Sequence, residues 1–80
     1  MSENLKIEVN LSIDRSGGDD GLPKVIDAVE KALKAEYTDA EIAVRKGFFQ
    51  TIDGIWASDS GIENDIRFIL DEVRKRVLSE

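Results

Sequence analysis

From Leu5 to Ile13 apolar and polar residues alternate without a break. Leu5, Ile7, Val9, Leu11 and Ile13 are separated by Lys6, Glu8, Asn10 and Ser12. A period of two predicts a strand with one buried and one wet face. The alternation stops at Asp14–Gly21, a glycine- and aspartate-rich stretch without apolar periodicity that reads as a loop. The pattern then changes period. Leu22, Val25, Ile26, Val29, Ala32 and Leu33 recur at three-and-four spacing, which predicts a helix opening around Pro23 and fading near Glu36. Asp27–Lys31 and Glu30–Lys34 are spaced to form ion pairs along it.

Alternation returns over Glu41–Lys46, with Ile42 and Val44 inward, and Gly47 ends it. A third strand is predicted from Phe49 to Ile55 or slightly beyond, paired with the second as a hairpin, with Gly54 marking a bulge. Phe48, Trp56 and Phe68 are candidates for exposed aromatic surface, although two of the three are expected to close the edges of a small core.

The last quarter, Ser58 to Glu80, carries the clearest helical pattern. Ile62, Ile66, Ile69, Leu70, Val73 and Val77 form one apolar face, and Ser60 with Glu63 has the form of a capping box. Glu63, Asp65, Arg67, Asp71, Glu72, Arg74, Lys75 and Arg76 are placed on the solvated face. Glu63–Arg67, Asp71–Lys75 and Glu72–Arg76 are each four apart and can neutralise one another.

Strand, helix, strand, strand, helix is an α+β order, βαββα. The first three elements make a crossover with parallel strands. Two helices, each apolar on one side, belong on one face of a three-stranded mixed sheet. The other sheet face, with Lys6, Glu8, Asn10, Glu41 and Arg45, stays wet. At 80 residues the chain is expected to be a single domain over 1–80, with stability of only about 3–5 kcal/mol.

Charge and composition narrow the function. Seventeen acids against eleven Lys and Arg give a net charge of −6, which opposes direct binding to nucleic acid. Without cysteine there is no disulfide or thiolate metal site. The glycine-rich loop lacks the layout of a calcium loop, so neither metal nor cofactor is expected. No apolar run is long enough to span a membrane, and the first residues lack a signal-peptide pattern, so the expectation is a cytoplasmic protein.

Catalysis has little to work with. Histidine is absent as well as cysteine, and the serines have no neighbouring base. Asp53 is the one acid worth inspecting, with a solvated carboxylate at a strand bend as the simpler reading. The expectation is a binding or regulatory module and not an enzyme.

Several strings together resemble the DinI-like family, small bacterial proteins named for a DNA-damage-inducible member. They are KIEVNLSIDR in the first strand, the Leu22-Pro23 helix opening, YTDAEIAVRKG, Ile52-Asp53-Gly54 and the final IRFILDEV. The resemblance spans nearly the whole chain and implies the same βαββα fold. It also implies a role in the SOS response, modulating the RecA filament through an acidic surface on the last helix, here Glu63, Asp65, Asp71 and Glu72. Arg74, Lys75 and Arg76 depart from the pattern, standing where the namesake continues with acids and tryptophans. The alternative is a self-associating interaction module, using Phe48, Phe49, Trp56 or an open strand edge and having no RecA role. The chain is accordingly expected as a monomer or weak homodimer.

Overall fold

Ile7, Val9 and Leu11 are all but inaccessible, and the residues between them face outward, so the first strand has the predicted two-faced pattern. The computed structural model describes residues 5–47 and 51–79; Phe48 and Phe49 lie outside the described residues. The elements are β1 (Lys6–Leu11), α1 (Gly18–Glu36), β2 (Glu41–Lys46), β3 (Gly54–Ala57) and α2 (Glu63–Leu78). Short 3-10 turns at Asp14–Ser16 and Ser60–Ile62 precede the two helices. This is the expected α+β architecture: a three-stranded mixed sheet with two helices over one face.

The strand order is β2-β1-β3. β1 runs parallel to β2, with Lys6 opposite Glu41 and Leu11 opposite Lys46, and antiparallel to β3, with Ile7 opposite Ala57. The expected β2–β3 hairpin is therefore not formed. The two strands lie on opposite sides of β1, and the chain leaves β2 at Gly47, beside the end of β1. Gly47 suits that position: its N–H donates to the Leu11 carbonyl at 3.0 Å, and a Cβ there would meet the same oxygen at 3.2 Å. β3 is also shorter and later than predicted, beginning at Gly54, with Asp53 just before it.

α1 starts four residues before Leu22, absorbing Asp19, Asp20 and Gly21, which the sequence pattern assigns to a loop. Pro23 thus sits inside the helix, within its second turn, where it withholds one N–H from the ladder. Two features offset that loss. The acids sit in the first turn, where the helix dipole favours negative charge. Gly21 lets the turn close on the preceding chain, since a Cβ there would lie 2.5 Å from the Ser16 carbonyl oxygen. Asp27–Lys31 and Glu30–Lys34 form ion pairs of 3.0 and 3.7 Å, as their spacing predicts.

Leu22, Val25, Val29 and Leu33 of α1 meet Ile66, Leu70 and Val73 of α2 over Ile7, Val9, Leu11 and Ala57. α1 packs on the β2 side of the sheet and α2 on the β3 side. The start of α2 departs from the predicted capping box. Asp59 caps the 3-10 turn, accepting the Gly61 N–H at 2.9 Å, and neither Ser60 nor Glu63 caps α2.

Candidate functional site

Burial divides the charges of α2 into two groups. On the side away from the core, Phe68 is 66% exposed, the most exposed large hydrophobic residue among those described. Asn64, Asp65, Asp71 and Glu72 stand four and three residues before it and three and four after it, so they ring it on the helix surface. All four are exposed. Of the expected site residues, the fold brings together Asp65, Asp71 and Glu72 around the aromatic ring. Glu63 is half-buried on the shoulder of the helix, apart from the other three.

The second group faces inward. Arg74, expected on the solvated face, is buried at 6% exposure. Its guanidinium grips Asp53 with both terminal nitrogens: Nη1 donates to Oδ1 at 2.9 Å and Nη2 lies 2.8 Å from Oδ2. Nη2 also donates to Asp71 Oδ1 at 3.0 Å. Asp53 Oδ1 in turn accepts the Ser12 N–H at 2.7 Å, just where β1 ends. Burial alone would lower the Arg74 pKa; the hydrogen bonds and charges of Asp53, and then of Asp71, outweigh it and hold the pKa above its ordinary value. Arg15 extends the tie, its N–H donating to Ser12 Oγ at 3.2 Å and its Nε to the Thr51 carbonyl at 3.1 Å.

This clamp joins β1, the residues leading into β3, and α2. It corrects the reading of Asp53 as a solvated carboxylate, since its side chain is only 8% exposed. It also replaces the expected Asp71–Lys75 pair with Asp71–Arg74, three residues apart. A local signal for it exists. Arg74 continues the row Ile62, Ile66, Leu70 at intervals of four, and a cation on an apolar row implies a buried anion elsewhere. Nothing local to the helix names Asp53 as that anion.

The open sheet face carries Lys6, Glu8, Asn10, Glu41 and Arg45, as expected, together with Trp56. Trp56 is 50% exposed beside Glu8 on β1. With Phe68 also exposed, the expectation that two of the three aromatic residues close the core does not hold. At the junction of the helices, Tyr37 has its pKa raised by burial, with Asp65 and Glu36 adding to the effect.

Among the described residues no group of three or more His, Cys, Asp or Glu is placed to hold a metal ion, and no helix is long and apolar enough to cross a membrane. Comparison of the chain with protein-family models, with curated proteins and with solved structures finds no match in any of the three.

Proposed function

We propose that this chain is a non-catalytic regulator acting in the cytoplasm, which docks the outer face of α2 on a basic protein surface. In keeping with its resemblance to the DinI-like family, the partner is a RecA filament. The observation that supports this reading most is the exposed Phe68 ringed by Asp65, Asp71, Glu72 and Asn64. An aromatic side chain supplies contact area at low entropic cost, and surrounding carboxylates steer it to Lys and Arg. The net charge of −6 favours approach to the same kind of surface.

Asp71 is a poor residue for testing this, because its carboxylate also holds Arg74. Asp65 and Glu72 are exposed and outside the clamp, so they isolate the surface. Labelled protein titrated onto preformed RecA–single-stranded DNA filaments should show anisotropy changes that diminish with added salt. The double variant Asp65→Lys/Glu72→Lys should weaken binding about tenfold or more, and Phe68→Ala by a similar factor. Filament binding that is absent at tens of micromolar, or indifferent to the double variant, removes the proposal.

A further inference from the structure

The outer edge of β2 is uncovered by any strand among the described residues. An edge of this kind exposes a row of backbone donors and acceptors, and proteins commonly blunt it with proline, bulges or charge. β2, written EIAVRK, has no proline, and its six residues pair with β1 in unbroken register. Its charges, moreover, are ordered in a way that a second copy can complement.

The register follows from two observations. Glu41 and Gly47 direct their N–H groups inward, to the Leu5 and Leu11 carbonyls at 2.8 and 3.0 Å. In a parallel ladder the alternate residues, Ile42 and Val44, therefore turn their backbone groups to the free edge. Antiparallel addition needs outward-facing residues opposite one another, which restricts the possible registers. With Ile42 opposite Val44, Ala43 meets Ala43 on a two-fold axis, and Glu41 stands opposite Arg45 twice. Sliding one copy by two residues loses both opposite-charge pairs.

The side chains fit that arrangement on both faces. Glu41, Ala43 and Arg45 share the open face, where Ala43 leaves a hollow of about 220 Å³ bordered by Lys6, Glu8, Glu41 and Arg45. Glu41 is 67% exposed, and its link to Lys6 is long at 4.0 Å, so it is available to a second cation. On the helix side Ile42 and Val44 are half-buried against the core, and Ile26 of α1 is in the same state. Ala28 and Ala32 of α1 border the groove against α2, which puts Ile26 on the opposite flank of the helix, toward β2.

We propose that β2 pairs antiparallel with β2 of a second copy across a two-fold axis at Ala43, Glu41 facing Arg45, to give a continuous six-stranded sheet. The contact lies on the α1 side of the sheet, leaves the outer face of α2 free, and does not rest on the filament-binding reading. It also differs from self-association through Trp56, which sits on β3.

Sedimentation equilibrium of the full chain, from a few micromolar to about 1 mM, reads the contact directly; an interface this small is expected to be weak. The expected result is a monomer–dimer equilibrium. Glu41→Arg and Arg45→Glu each place like charges opposite one another twice, and each should raise the dimer Kd about tenfold or more. The combined Glu41→Arg/Arg45→Glu variant restores opposite charges and should bring Kd back towards that of the native chain. Circular dichroism checks that each variant remains folded. A monomer at every concentration, a dimer indifferent to the single reversals, or a double variant no better than the singles overturns the proposal.

Discussion

The two sides of α2 hold the same kinds of residue and put them to opposite uses. Outside, Asp65 and Glu72 flank an aromatic ring and are left to solvent; inside, Arg74 is taken out of water and held by two aspartates. Asp71 belongs to both, with its side chain 59% exposed and one oxygen on Arg74. The comparison teaches that the charge pattern of a helix does not reveal its role. An exposed ion pair contributes about 0–1 kcal/mol, whereas stripping one partner from a buried pair costs about 3–5 kcal/mol. Position relative to the sheet decides which regime applies.

The largest expected effect comes from breaking the inner side. Arg74→Met leaves Asp53 buried without its cation and should cost about 3–5 kcal/mol in urea unfolding, close to the whole stability of a domain this small. Replacing the pair together, as Asp53→Leu/Arg74→Met, should recover much of that loss, because no unpaired charge remains. If the double variant is no better than the single, the clamp does more than satisfy its own charges. Arg76→Met, two residues along on the exposed side, should change stability by less than about 0.5 kcal/mol.

The apolar residues of the same helix sharpen the contrast. Leu70→Ala should cost about 2–5 kcal/mol and Phe68→Ala less than about 0.5 kcal/mol, read from thermal or urea melts. A large stability loss at Phe68 would mean that the ring is packed and is not free for a partner. Away from α2, Gly21→Ala tests whether the early start of α1 depends on close approach. The added methyl must displace the Ser16 carbonyl, at a cost of about 1–3 kcal/mol.

The smallest effect is a titration. Tyr37 should ionise above its ordinary 10.0 when followed by ultraviolet absorbance, and Asp65→Asn should lower that midpoint. The sign of the linkage follows from the raised pKa. The folded chain holds the phenol proton more tightly than the unfolded chain, so this contribution to stability is complete below pH 10.0 and is lost as pH rises through the folded-state value.

How much of this was legible in the sequence varies with the range of the interaction. Alternation over Lys6–Leu11 and Glu41–Lys46 and the apolar rows of both helices are local patterns, and the strands and helices follow them. Gly21 reads as loop because intrinsic preference disfavours it in helices, and Pro23 reads as the helix opening because its missing N–H is not needed in a first turn; α1 instead starts at Gly18, with Gly21 packed closely on Ser16. The acids around Phe68 were legible as a face, since three-and-four spacing is sufficient to bring them together. Arg74 was misplaced because its partner is distant in sequence, before β3.

By itself the sequence determined the α+β class, the two-faced strands, the apolar stripes of both helices and the exposure of Asp65, Asp71 and Glu72. Each of these follows from periodicity, which depends only on the backbone geometry of a single element. The tertiary structure alone decided that β1 is central, that β2 and β3 are both edges, and that Asp53 and Arg74 are buried together. Strand order depends on which edges meet across long stretches of chain, and the fate of a charge depends on what covers it. Both are settled by non-local packing, which residue spacing within one element does not encode.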